Sequence, residues 1–348
     1  IYTTDGTANG TQVVETHPYY PHILQANSTA IAYTIPEYGR PENNDLVVRN
    51  HTTNSKITYR NSDLPNMITN GARFNGDKLY MGAYARNDME AGTEPYVFSS
   101  TNNTMTLLKN ITTTSGGGSY PYGFTSLGSK LVFNAMTEAY GSELWITDGT
   151  AAGTVIVRDL FVGTNGSGPS NFTTVGSSTY FVAENAAGNR ELWLTNGTTA
   201  GTLKLKEINP SATVGSSPQD LTPLNKQLFF TADNGTNGRE LWVSTGTAAG
   251  TVMVKDIHPT GSSNPSNLVV YNGLVWFFAT DGALRVSHLY SSDGTAAGTT
   301  KRITLTSGSD GTQLTVCNGK LFYVARNSTT SKMWRTDGTG AGTQQVIP

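Results

Sequence analysis

Residues Glu143 to Thr154 read ELWITDGTAAGT, and the phrase returns along the chain. It is ELWLTNGTTAGT from Glu191, ELWVSTGTAAGT from Glu240, HLYSSDGTAAGT from His288 and KMWRTDGTGAGT from Lys332. The chain opens on IYTTDGTANGT, the same phrase without its first residue, and two worn copies start at Asp45 (DLVVRNHTTNS) and Glu94 (EPYVFSSTNNT). With the place of Asp148 as marker, the series is Asp5, Asn50, Ser99, Asp148, Asn196, Thr245, Asp293 and Asp337, spaced by 44 to 49 residues. Eight markers enclose seven periods, and a period of this length marks a repeat architecture.

Each period has one internal grammar. A Pro- or Ser-rich stretch leads into a short strand such as 171–175. A turn (NGK, LGSK or NKQ) follows, then an apolar strand: 131–133, 180–182, 228–230 or 321–323. A polar loop with glycine leads to the Glu-Leu-Trp strand, the Asp-Gly-Thr turn closes a hairpin, and a last alternating strand such as 155–159 completes the unit. Four short strands recur without helical periodicity. One such sheet cannot bury both of its faces, whereas sheets packed face to face in series can. The expected fold is all-β, a propeller of seven four-stranded blades, with an eight-bladed ring as alternative.

Structural roles account for the motif residues. Asp148, Asp293 and Asp337 are placed to accept backbone N–H bonds within their own turns, and Gly149 tolerates the positive φ of an Asp-Gly turn. Gly153 is expected as a second left-handed residue, and Thr150 and Thr154 as β-branched strand edges. Trp145, Trp193, Trp242 and Trp334 share one position, with Tyr2, Tyr96 and Tyr290 as substitutes, and are expected as wedges between sheets. Glu94, Glu143, Glu191 and Glu240 also recur, with Asp45, His288 and Lys332 in the same place. A ring of carboxylates fits those replacements badly, so the expected role is acceptance of local backbone hydrogen bonds.

These residues resemble a known family, the secreted proteins with ELWxxDGTxxGT repeats common among bacterial surface proteins. Its consensus continues into V-x-V-K-D-I, matched here by 155–160 and 252–257. The resemblance spans essentially the whole chain, strongest over 120–260, and implies a β-propeller and an extracellular or cell-surface location; it carries no activity. The Asp-box of sialidase propellers is different, since here Gly directly follows Asp and no Trp follows the Thr.

Composition removes several classes. The net charge is −2 with 14% charged residues, which argues against a nucleic-acid surface. No run of 18 apolar residues is present, so no transmembrane helix is expected. Cys317 is the one cysteine, which excludes an intramolecular disulfide framework and a multi-cysteine zinc site; an inert core thiol is expected. Serine-hydrolase elbow, phosphate-loop and His-Glu-x-x-His signatures are missing. The histidines His17, His22, His51, His258 and His288 lie in separate repeats, as surface residues would. His17 and His22 flank a Pro-Tyr-Tyr-Pro turn, and 233–240 only faintly resembles a calcium loop. No catalytic residue, metal or cofactor is assigned.

The 52 Thr and 28 Ser put a small hydroxyl on 80 of 348 positions, which makes the surface hydroxyl-rich. Asn-x-Ser/Thr sequons stand at Asn9, Asn27, Asn50, Asn102, Asn110, Asn165, Asn171, Asn196, Asn234 and Asn327, close to the number that 29 Asn give by chance.

Residues 1–17 read as the final hairpin of a unit and 18–348 as seven whole units. The unmatched hairpin is expected either to join another chain, head to tail, or to be completed by strands beyond Pro348. The functional expectation is a non-catalytic extracellular structural or adhesive glycoprotein that self-assembles into a filament or surface layer. The alternatives are a carbohydrate-binding propeller using Tyr19, Tyr20, Tyr120 and Tyr122, and a propeller glycoside hydrolase or lyase built from two carboxylates.

Overall fold

The computed structural model describes residues 2–3, 12–13, 22–26, 30–37, 40–50, 56–59, 66–67, 71–84, 92–99, 101–102, 104–113, 117–185, 188–211, 214–282, 286–305, 310–326 and 329–346. They are all-β, and no helix occurs among them. Seven sheets follow one another along the chain, each an antiparallel meander in chain order. The first is His22–Ala26, Ala30–Glu37, Arg40–Asn50 and Lys56–Tyr59. In the second, two short strands, Asn66–Met67 and Arg73–Asn75, share the edge of Lys78–Tyr84, followed by Glu94–Ser99 and Thr104–Leu107. The third is Tyr122–Leu127, Lys130–Thr137, Gly141–Thr147 and Val155–Arg158, and the fourth Ser170–Val175, Ser178–Glu184, Arg190–Thr195 and Leu203–Lys204. The fifth is Gln219–Leu224, Gln227–Asp233, Arg239–Ser244 and Thr251–Lys255. The sixth is Ser266–Tyr271, Leu274–Ala279, His288–Ser292 and Thr300–Ile303, and the seventh Asp310–Cys317, Lys320–Arg326, Ser331–Thr336 and Gln344–Gln345. These are the blades of a seven-bladed β-propeller. Tyr2–Thr3 pairs with Gln12–Val13 as a separate two-stranded sheet.

The chain packs as two compact units, residues 1–179 with 195–202, and residues 180–194 with 203–348. In the first unit, Leu46 and Val48 of the first sheet pack with Leu79, Met81 and Phe98 of the second. Tyr80 and Val97 of the second pack with Phe133 and Trp145 of the third. In the second unit, Phe229 and Leu241 meet Val275 and Phe277, while Phe278 and Leu289 meet Leu321 and Tyr323. Middle strands therefore lose their period-two pattern: in Gln227–Asp233, all of Leu228 to Ala232 is buried, because both faces are covered. Trp145 and Trp334 join these clusters between sheets. Trp145 also faces Phe133 on its own sheet with centroids 6.5 Å apart, as Trp242 faces Phe230 at 6.4 Å and Trp334 faces Tyr323 at 6.5 Å.

In the turn, Asp148 accepts the Thr150 N–H at 2.9 Å and the Thr150 hydroxyl at 2.7 Å, and the arrangement repeats at Asn196, Asp293 and Asp337. Gly149 has φ +89°. One expectation is corrected and one is extended. Gly153 is not left-handed; a Cβ there would lie 2.0 Å from an Asp148 carboxylate oxygen, so close approach excludes a side chain. The threonines contribute hydroxyls as well as shape: Thr154 Oγ1 donates to Thr150 O at 2.6 Å and pairs with Thr147 Oγ1 at 2.8 Å.

The recurring glutamate is a latch on the segment joining one sheet to the next. Glu143 accepts the N–H groups of Leu160 and Phe161, both at 3.1 Å, and the N–H and hydroxyl of Ser167 at 2.9 and 2.7 Å. Glu94 does the same with Ile111, Thr112 and Ser119, and Glu191 with Ile208, Asn209 and Ser216. In the sixth sheet His288 takes this place, its Nδ1 accepting the Leu305 N–H at 3.2 Å. Nδ1 is then the unprotonated nitrogen, so Nε2–H points to Asp281 Oδ1 at 3.8 Å. His288 is buried, which corrects its expected surface position, and Cys317 is exposed rather than in the core.

A basic side chain adds a second tie. Lys109 Nζ donates to the carbonyl of Thr154 at 2.8 Å, Arg158 to Thr202 at 2.7 Å, Lys206 to Thr251 at 2.8 Å and Lys255 to Thr299 at 3.0 Å. Each reaches from the last strand of one sheet, or just beyond it, to the residue ending the turn of the next.

Candidate binding cleft

The Glu240 latch shapes a polar cleft beside the sixth sheet. Glu240 accepts the Ile257 N–H at 3.1 Å, the Ser263 N–H at 2.9 Å and the Ser263 hydroxyl at 2.5 Å. The Ser263 carbonyl then accepts the Thr280 N–H at 2.9 Å, so the connecting segment lies along the end of the strand Leu274–Ala279. Between this segment, the loop after that strand and the start of the seventh sheet is a cavity of about 530 Å³, lined by His258, Asn264, Ser266, Asn267, Ser287, Asp310 and Thr312 among others. Its volume is that of a small-molecule or short-peptide site.

The His258 ring packs against Gly282, where a Cβ would come within 2.6 Å of Nε2. Its Nδ1 is 3.4 Å from Thr260 Oγ1. The Ser287 hydroxyl donates to Asp310 Oδ1 at 3.4 Å and accepts the Gly311 N–H at 3.0 Å. A nucleophilic serine needs its proton directed to a base held by a third group. Here the hydroxyl faces the Asp310 carboxylate directly, at a long 3.4 Å, with no imidazole hydrogen-bonded to either group among the described residues. A smaller cavity, about 320 Å³, takes the same place in the repeat beside the third sheet, with Tyr120 and Glu138 in its wall.

Among the sequons, Asn102, Asn110, Asn165, Asn171 and Asn196 are exposed. Asn234 is partly buried, its Oδ1 accepting the N–H groups of Thr236 and Asn237 at 3.0 and 2.8 Å. Asn9, Asn27 and Asn327 lie outside the described residues, as do the side chain of Asn50 and the residues His17, Tyr19, Tyr20 and His51. Tyr120 and Tyr122 are exposed and His22 is exposed on its strand. In the loop resembling a calcium site, Asp233 accepts the Gly235 N–H at 2.7 Å and Asn237 donates to Asp256 at 2.8 Å, so these polar groups are engaged by the loop backbone and by the segment after the fifth sheet. No metal-ligating cluster occurs among the described residues.

No protein-family model matches the sequence, and no curated protein matches it. Solved structures do. The chain is similar to a prolyl endopeptidase (TM-score 0.55, 9% identity, 94% of this chain and 49% of that one) and to a puromycin hydrolase (TM-score 0.52, 13% identity, 96% and 55%). It is also similar to a puromycin-hydrolyzing peptidase of Mycobacterium tuberculosis (TM-score 0.50, 10% identity, 93% and 53%). The chain spans about half the length of the solved chains it matches. These likenesses establish the fold, and they correct the functional expectation. The propellers to which this chain is similar belong to catalytic enzymes, so the structural, adhesive, filament-forming role does not stand, nor do the lectin and glycosidase alternatives beside it.

Proposed function

We propose that this chain is a peptide-recognising propeller domain that serves hydrolytic catalysis without itself cutting the bond. The observation that carries this reading is the cleft of His258, Ser287 and Asp310. It offers an imidazole, a carboxylate and several hydroxyls to the amides of an extended segment, while the Ser287 hydroxyl is directed to Asp310 at 3.4 Å with no imidazole between them. The likeness to peptidase and puromycin-hydrolase chains supports the choice of a peptide or aminoacyl ligand, as an analogy of fold.

Calorimetric titration with proline-containing tetrapeptides and with puromycin tests the reading, alongside release of nitroaniline from aminoacyl and prolyl nitroanilides. Saturable binding is expected, weakened at least tenfold by His258→Ala and by Asp310→Asn, with no nitroaniline released. Turnover abolished by the same substitutions would make the cleft an active site, and a complete lack of binding would end the proposal.

A further inference from the structure

The junction between the sixth and seventh sheets departs from the others at two positions at once. Ile303 stands where Lys109, Arg158, Lys206 and Lys255 stand in the preceding units. Gly340 stands where the other turns have Ala151, Thr199, Ala248 and Ala296. The fourth-sheet residue Thr199 fills its place and donates to Val157 O at 2.7 Å, whereas a Cβ on Gly340 would meet no atom within 4 Å. Between these two substitutions lies a cavity of about 290 Å³, walled by Leu305, Tyr323, Ala325 and Trp334 and ending at Thr343.

The junction between the second and third sheets shows what fills this place elsewhere. Lys109 Nζ donates to Thr154 O and lies 5.9 Å from the centroid of the Trp145 ring, so one ammonium satisfies a carbonyl and an indole face together. In the seventh sheet the same indole and carbonyl are present as Trp334 and Thr343. Among the described residues no basic side chain reaches that carbonyl. We propose that this junction binds a small primary ammonium ion with an apolar body. The ammonium takes the position of the absent lysine, between Thr343 O and the Trp334 ring, and the body fills the space beside Gly340. The indole face attracts an ammonium electrostatically, and the apolar walls favour a hydrocarbon or aryl body over a sugar. This site shares no residue with the cleft of His258 and Asp310, so either can fail without the other.

The probe is 2-phenylethylammonium, with 2-phenylethanol as its neutral isostere, followed through the Trp334 indole N–H resonance in the whole chain. The ammonium should shift that resonance saturably, with affinity of about millimolar order, and the alcohol should bind at least fivefold more weakly. Ile303→Lys supplies the ammonium internally and should abolish binding while raising the unfolding midpoint; Gly340→Thr should abolish it by filling the slot. Equal binding of alcohol and ammonium, undiminished binding in folded Ile303→Lys, or no shift at all would each overturn the proposal.

Discussion

Ser263, on the segment that leads into the sixth sheet, donates its hydroxyl at 2.5 Å to Glu240, 23 residues earlier on the third strand of the fifth sheet. The contact closes one wall of the polar cleft, since the same serine orders the segment bearing Asn264 and Ser266. A buried hydrogen bond to a charged acceptor is worth about 1.5–3 kcal/mol. Ser263→Ala should therefore lower the unfolding free energy by about 2 kcal/mol in urea titration and weaken peptide binding to the cleft. Ser167→Ala, at the same position beside the third sheet, should cost as much stability and leave that binding alone. A loss of binding from both would break the link between this latch and the cleft.

The latches also set a pH dependence. Burial raises the pKa of Glu94, Glu143, Glu191 and Glu240, opposed first by the hydrogen bond from the partner serine. A folded-state pKa above the unfolded value, about 4.3, gives stability that is full below that value and lost as pH rises through the folded one. Asp148, Asp293 and Asp337 are lowered by the threonine of their turn, so theirs is full above about 3.9 and lost as pH falls through the folded value. His288, lowered by burial and then by Lys301, acts in the same sense below about 6.5. In a His288→Gln variant, the urea midpoint should rise on acidification from pH 8 towards pH 5, then fall below pH 4. Replacing Glu143 and Glu191 by Gln should reduce the first slope. A midpoint that falls steadily from pH 8 downward contradicts the assignment.

What the sequence showed was local, and what it concealed was the distance between partners. Asp148 and Thr150 are two residues apart and Asn318 and Gly319 adjacent, so the turns announced themselves. Ser263 was one serine among 28, and only the fold places it on Glu240. Lys255 and Thr299, 44 residues apart, were hidden for the same reason. Ser287 and Asp310 drew no notice as a pair because they meet across the gap between two sheets. Cys317 and His288 were misjudged because a strand's alternation says which residues share a face, and only the neighbouring elements say whether that face is covered.

The turn gives a sharper test than removal of its aspartate. In Gly153→Ala the new Cβ would need to occupy space 2.0 Å from an Asp148 oxygen, so the carboxylate must leave Thr150 or the loop must move. The substitution should cost about 2 kcal/mol or more, in the range of backbone clashes. Asp148→Gly removes the obstructing group, so the double variant should be more stable than Gly153→Ala alone. A double variant whose two losses simply add would show that the glycine is needed for another reason.

Asn225 and Lys226 form the tight turn between the first two strands of the fifth sheet, with φ of +50° and +63°. The sixth and seventh sheets make this turn with Asn272–Gly273 and Asn318–Gly319, the composition that two left-handed residues favour. A lysine held there costs about 1–2 kcal/mol relative to an ordinary conformation, while glycine costs about 0.5–1 kcal/mol in unfolded-state entropy. Strain outweighs entropy here, so Lys226→Gly should raise the unfolding free energy by about 0.5–1 kcal/mol. Lys320→Gly, one residue past the Asn318–Gly319 turn and inside a strand, should lower it. Equal losses at both positions would mean that the Lys226 side chain contributes more in that turn than its backbone costs.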